Sequence, residues 1–332
     1  MKPFLLPALL TITITSVQGG EPNRTAVRDA IQRCLPWLEK GAAGSTEQCK
    51  CFTCHNHGLP IMALHEAQNR EFEMSREVLA AQITHTSKHL DRGLENYRKG
   101  KGQGGRILTA GYALWALSTA NHKPNETTAA VAAYLAGDQE QRDHWIQAGR
   151  RPPTDGKEFT TSYVALRGIV DFGDPDDERQ QARIQKVRQW AINARPLDTE
   201  DSVFRLRILS LTKAKADVLK DSVEQLVSEQ REDGGWAQKT DMESDPYATG
   251  TVLATIMDCG VAPEKTAVRN GVSWLLANQR DDGTWYVKTR AKGFQPYYES
   301  GFPHGKDQFI SIAASSWAVR ALIRTLPTTL DK

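Results

Sequence analysis

Two kinds of apolar segment alternate along this chain. In the first, apolar residues recur at helical spacing with charges between them, over residues 28–39, 75–98, 126–135, 178–194, 217–229 and 266–278. In the second, small and apolar residues run on with few charges, over 59–66, 107–120, 160–170, 202–211, 247–257 and 310–323. A helix apolar on most of its faces is surrounded by protein, whereas a helix with one apolar stripe lies at a surface. The alternation therefore predicts an all-α protein of about six hairpins, each an outer amphipathic helix followed by an inner apolar one. No hairpin buries its apolar face alone, so neighbours must stack, and a closed ring of six leaves no end uncovered. No segment of useful length has the two-residue period of a strand. Longer connections interrupt the pattern at 98–106, 136–157 and 287–306, and loops of that length in a compact domain usually carry function.

An internal repeat supports the hairpin reading. Gln230-Arg-Glu-Asp-Gly-Gly-Trp236 returns 49 residues later as Gln279-Arg-Asp-Asp-Gly-Thr-Trp285, each copy following an amphipathic segment. The Asp-Gly pair stops the helix, because glycine accepts a positive φ. The tryptophan then has a fixed place to pack.

Composition excludes some functions. Of 332 residues, 39% are hydrophobic and 25% charged, enough apolar surface for a sizeable core. A net charge of +2 without any long Lys/Arg run argues against nucleic acid and anionic membrane surfaces as partners. The N-terminus reads as a secretion signal: Lys2, an apolar run over 4–17, and small residues at Val17 and Gly19 before a cleavage point after Gly19. The run is short for a bilayer span. The expectation is a signal peptide over 1–19 and one domain over 20–332, exported to the periplasm or beyond, with no transmembrane span.

Export permits disulfides, and the mature chain holds five cysteines, an odd number: Cys34, Cys49, Cys51, Cys54 and Cys259. Cys51-Phe-Thr-Cys54-His55 is the attachment pattern of c-type haem, two thioethers with an adjacent imidazole as iron ligand. The same residues also suit a Cys51–Cys54 disulfide or a divalent-metal clip. His304 precedes the sixth inner segment as His55 precedes the first, so ring closure would put both on one rim and make His304 the candidate second iron ligand. Cys49 is a candidate disulfide partner for Cys34, which leaves Cys259 as a buried thiol.

The Gln-x-x-Asp-Gly-x-Trp copies, with Trp274-Leu275 before the second and Trp37-Leu38 as an echo, resemble the repeat motif of squalene–hopene cyclases and protein prenyltransferases. With Cys51–His55, Arg151-Pro-Pro153, residues 158–166 and residues 294–308, the chain resembles exported bacterial squalene-cyclase-like repeat proteins. That resemblance spans essentially the whole mature chain and implies an α/α toroid. It also draws attention to Asp198-Thr-Glu-Asp201, similar to the Asp-x-Asp-Asp motif whose middle Asp protonates an alkene in those cyclases, here with Glu200 in the middle. The competing reading is that Asp198, Glu200 and Asp201 are ordinary helix-start residues. Those cyclases enclose substrate between two helical domains, and one domain here argues against the activity. A prenyltransferase-type zinc site, for which Asp258-Cys259 is the nearest match, would sit at the far end of an inner helix from His304. Three functions follow. The first is a haem c protein that passes electrons to a redox partner or oxidises a small apolar ligand. The second is a terpenoid cyclase using the acidic segment, and the third a non-catalytic binding module braced by its cysteines. Other residues expected at the shared rim are Glu158, Thr160, Tyr163, Asp245, Tyr247, Asp307 and Gln308. Tyr112, Trp115, Tyr163, Phe204 and Trp317 lie on inner segments, where they either line an apolar cavity or, for most of them, fill the core of the ring.

Overall fold

The computed structural model describes residues 23–147, 149–293 and 296–327. The expected signal segment over 1–19 lies outside these, as do Phe294 and Gln295. Among the described residues there are thirteen α-helices and no strands, only an isolated bridge between Ala237 and Ser244. The outer helices are α1 (Arg24–Gln48), α3 (Arg76–Asp91), α6 (Glu126–Gly137), α8 (Glu178–Asn193), α10 (Ala216–Ser228) and α12 (Thr266–Ala277). The inner helices are α2 (Leu59–Gln68), α5 (Arg106–Thr119), α7 (Glu158–Phe172), α9 (Thr199–Leu211), α11 (Pro246–Asp258) and α13 (Gln308–Arg324). A short α4 (Leu94–Arg98) follows α3. Each inner helix packs on the next, and α13 packs back on α2, which closes the ring as an α/α toroid.

Local chemistry sets the helix starts. Asn23, Ser75, Asn125, Asp177, Asp198 and Asp245 each accept a backbone N–H of the first turn with their side chain, worth about 1 kcal/mol apiece. The inner helices pack so tightly that only glycine fits at some contacts. A Cβ at Gly250 of α11 would meet the Ala318 nitrogen of α13 at 2.8 Å.

The repeat motif staples neighbouring hairpins. Trp236 and Trp285 donate their indole N–H to Leu226 and Leu275 of the preceding outer helix, at 2.7 and 2.8 Å. Gln230 donates to the Ala267 carbonyl of α12, and Gln279 donates to the Ala30 carbonyl of α1, both at 2.8 Å. The same side chain thus ties hairpin five to six and six to one. Trp274 and Trp37 complete the pattern by donating to the Asp233 carboxylate and the Asp282 carbonyl. A third copy is hidden at Gln139–Trp145. It lacks the Asp-Gly stop, yet Trp145 donates to the Leu135 carbonyl at 3.0 Å in the same way.

Two expectations change. The outer span 75–98 is two helices, because α3 ends at Asp91 and Gly93 precedes α4. Cys34 cannot bond Cys49. Both belong to the unbroken run of α1 and its C-cap, 15 residues and so about 22 Å apart. Cys34 is buried in the core instead.

The bore is filled. Trp115 packs against Tyr163 at 5.0 Å and Trp317 at 5.9 Å, and Tyr163 against Phe204 at 5.4 Å. Below these rings Arg207 and Arg320 lie over the face of Trp317, at 5.0 and 4.5 Å. Glu66, at the end of α2, pairs with Arg320 at 2.8 Å and Arg324 at 2.7 Å. Asp258 at the end of α11 pairs with Arg324 at 2.7 Å and Arg207 at 3.3 Å. This network locks the C-terminal rim and uses Asp258 as an ion-pair partner. No described helix is long and apolar enough to cross a membrane.

Candidate functional site

The opposite rim gathers the starts of the inner helices. A pocket of about 380 Å³ opens there. Its walls are the turn before α2 (Cys49, Cys51, Thr53, His55), the 151–154 segment, the 289–298 segment, and Lys306, Phe309 and Ile310. Two of the three long connections flagged in the sequence, 136–157 and 287–306, therefore help build it. Three cations, Arg151, Lys292 and Lys306, share its lining with the apolar Pro152, Pro296, Phe309 and Ile310.

Gln308 holds one wall. Buried at the start of α13, it donates to the Tyr297 hydroxyl at 2.9 Å and the Tyr298 carbonyl at 3.2 Å, and accepts the Ser300 N–H at 2.7 Å. Tyr298 in turn reaches Ser45 at 3.0 Å and Asn56 at 3.2 Å, joining hairpin six to hairpin one.

The other wall is a five-residue π-helical turn, Cys54–Gly58, capped by Thr53. His55 sits edge-on to Phe309 at 5.4 Å, with its Nδ1 3.6 Å from the Cys54 sulfur. Burial, then the nearby Arg151 charge, pushes its pKa well below the ordinary histidine value, so the imidazole is neutral. Burial also pushes the Cys51 thiol up to about 11 and the Cys54 thiol up to about 12. Neither is a thiolate at neutral pH. His57 accepts the Thr53 N–H at Nδ1 and stacks on His85 at 4.7 Å. Burial lowers its pKa to about 3. An unfolded chain takes up that proton near pH 6.5, so stability is lost as pH falls from 6.5 toward 3, by about 1.4 kcal/mol per pH unit. Urea unfolding of His57→Gln should show a shallower loss over that window than the parent protein, and equal slopes would contradict this burial.

The acidic segment divides. The Asp198 side chain caps α9 by accepting the Asp201 N–H and lies 2.8 Å from Lys157. Asp201 accepts the Leu197 N–H and lies 3.6 Å from the same lysine. These two take the ordinary helix-start role. Glu200 does not: it turns into the ring and is 4% exposed. Its Oε1 accepts the Thr160 hydroxyl at 3.1 Å and the Tyr247 hydroxyl at 3.2 Å. Its Oε2 is buried without a protein partner. Burial, reinforced by the Asp198 charge, raises its pKa well above the carboxylate range. The shift favours the protonated carboxylic acid over the carboxylate. With both hydrogen bonds arriving at Oε1, the proton belongs on Oε2.

Glu200 lies beneath the pocket rather than on its wall. Tyr112 donates to the carbonyl of Thr154, a pocket residue, at 3.2 Å. Tyr112 and Tyr247 are both within electrostatic reach of Glu200 and of Cys54. A layer of phenols thus separates acid and pocket, and sequence reasoning placed Tyr247 at the rim without seeing this role. His304 is not among the pocket's lining residues. Its Nε2 meets the Thr284 hydroxyl at 2.7 Å, and its ring contacts Tyr286 and Phe302, whereas that of His55 contacts Phe309. No group of three or more His, Cys, Asp or Glu suited to a metal ion occurs among the described residues.

Residues 179–318 match the model of the squalene-hopene cyclase C-terminal domain. Among solved structures, the chain is similar to the type II terpene cyclase MstE from Scytonema. A variant of that enzyme in complex with geranylgeranyl dihydroxybenzoate, its substrate, is 13% identical. The match covers 92% of this chain and 98% of that one, with a TM-score of 0.57. A second variant, in complex with merosterolic acid A, its product, is 15% identical over 91% and 98%, with a TM-score of 0.56. The apo enzyme is 13% identical over 90% and 98%, with a TM-score of 0.54. Among curated proteins none matches by sequence. The fold is that of the terpenoid cyclases. The chain is a squalene-cyclase-like α/α-toroid protein.

Proposed function

We propose that the protein is an acid-initiated terpenoid cyclase in which Glu200 donates the first proton. The observation that carries this is the neutral, buried Glu200 with its unpartnered Oε2, in the middle position of the acidic segment, in a toroid of cyclase type. A carboxylic acid held dry and neutral is suited to protonate a weak base such as an alkene or epoxide. Thr160 and Tyr247 hold Oε1 and then stabilise the carboxylate left behind. The pocket, apolar with a cationic edge, admits an isoprenoid bearing a polar or anionic end. Its chain reaches Oε2 when the Tyr112–Thr154 contact opens. The test is incubation of the purified protein with polyprenyl substrates, geranylgeranyl dihydroxybenzoate among them. A product of unchanged mass but shifted retention and cyclic NMR signature supports the proposal, and unaltered substrate in every case refutes it.

A second reading rests on the pocket's other wall. Cys51 and His55 both line the pocket, and three cations are placed to meet propionates. A c-type haem bonded to Cys51 and Cys54, with His55 on iron, would occupy it. Protein made with haem-attachment machinery should then carry a Soret band that survives denaturation. A colourless product removes this reading and leaves the first untouched.

A further inference from the structure

The cyclase reading leaves the cysteines of the pocket wall without a task, and their geometry gives them one. The sulfurs of Cys49 and Cys51 stand 2.8 Å apart, closer than two unbonded sulfurs pack. Cys49 is the extended C-cap of α1, and Cys51 lies two residues on, before the π turn. Both line the pocket, and Cys51 is exposed to solvent. Cys54, three residues further, is partly buried against His55 instead. We propose that Cys49 and Cys51 are a redox pair that closes into a Cys-Lys-Cys disulfide at the mouth of the pocket.

The step needs a disulfide oxidant such as glutathione disulfide. The two thiols lose two protons and two electrons, and the new S–S bond forms between Cys49 and Cys51. The oxidant's S–S bond breaks and takes up both protons and electrons as two thiols. The bond fixes the chain between α1 and the π turn, the segment that positions Thr53 and His55 on the pocket wall. It also occupies Cys51, so it excludes a haem thioether on that sulfur. Cys34, buried within α1, takes no part, nor does Cys259, which is the C-cap of α11 and only half-buried rather than the buried thiol expected from the sequence.

The sequence supplies a direct test. Lys50 lies between the two cysteines, so trypsin separates residues 41–50 from residues 51–70. Full-length protein equilibrated with glutathione disulfide, denatured, alkylated without reduction and digested, should give these two peptides covalently joined with Cys54 alkylated, about two mass units below the sum of the thiol-form peptides plus one alkyl group. Reduction should release them, and Cys49→Ser should abolish the joined species. Three results overturn the proposal: residues 41–50 recovered free with Cys49 alkylated, a Cys51–Cys54 bond confined to the second peptide, or glutathione retained on Cys51.

Discussion

Glu66→Leu will destabilise the protein by about 3–5 kcal/mol, the cost of leaving buried charge without its partner. Glu66 accepts from Arg320 at 3.0 and 2.8 Å and from Arg324 at 2.7 Å. The side chain of Arg320 is only 3% exposed. Burial alone would raise the Glu66 pKa, but the two guanidiniums outweigh it and hold it near 2. Its folded pKa therefore lies below its unfolded one. The stabilisation is complete above the ordinary glutamate range and is lost as pH falls through that range toward 2. The urea midpoint at pH 7 and at pH 3 measures both parts. The variant should be much weaker at pH 7, and the gap should narrow at pH 3. As a contrast, Glu224→Gln should change stability by less than about 1 kcal/mol, because its pairing with Lys220 is solvent-exposed at 3.7 Å. A loss below about 1 kcal/mol in Glu66→Leu would mean that the rim network is not holding the ring.

Glu200→Gln should abolish cyclisation, by about a thousandfold or more, while making the fold more stable at neutral pH. The first half follows because the amide keeps the shape and offers no transferable proton. The second half is a matter of sign. The folded-state pKa of Glu200 is raised, so its unfolded form ionises at a lower pH than its folded form. Above the ordinary glutamate pKa the charged unfolded chain gains about 1.4 kcal/mol per pH unit, until the folded pKa is reached. Glutamine is indifferent to pH. The variant should therefore exceed the parent in melting temperature at pH 7, and the advantage should vanish near pH 4. Retained turnover would refute Glu200 as the acid. Lost turnover with lowered stability at pH 7 would mean that its carboxyl is ionised and structural.

The ring was legible in the sequence because inner helices are apolar on nearly every face, and no other element of a helical protein is. In α13 the run from Gln308 to Ile323 is buried almost throughout. Closure was legible because six stacked hairpins leave an apolar end uncovered unless the ring closes, and the structure closes it in part through Gln279, whose side chain reaches Ala30 as that of Gln230 reaches Ala267. The copy at Trp145 was not, because its helix stops without Asp-Gly. The cysteine pairing failed for a related reason: spacing shows how many residues separate Cys34 and Cys49, but not that a rigid helix holds them apart. At the acidic segment, three carboxylates within four residues look equivalent. Which one turns inward depends on where α9 begins: once Asp198 is the cap, Glu200 faces the ring and Asp201 faces Lys157. Of the pocket, the sequence showed two of three long connections and the Cys51–His55 segment but not that they meet, since these walls come from segments far apart in the chain.

The seam at which α13 meets α2 has a kinetic meaning. Every other interface between inner helices joins successive hairpins, close in sequence, whereas the Gln279–Ala30 bond spans 249 residues. Loop-closure entropy delays such a contact until the intervening chain is ordered. Five interfaces can assemble by propagation from any nucleus, as in an open array. The sixth then forms as a single late event between two preformed edges. Until that moment the chain is a curved strip with two sticky apolar ends, open to pairing with the ends of another copy. The closed ring removes both ends together.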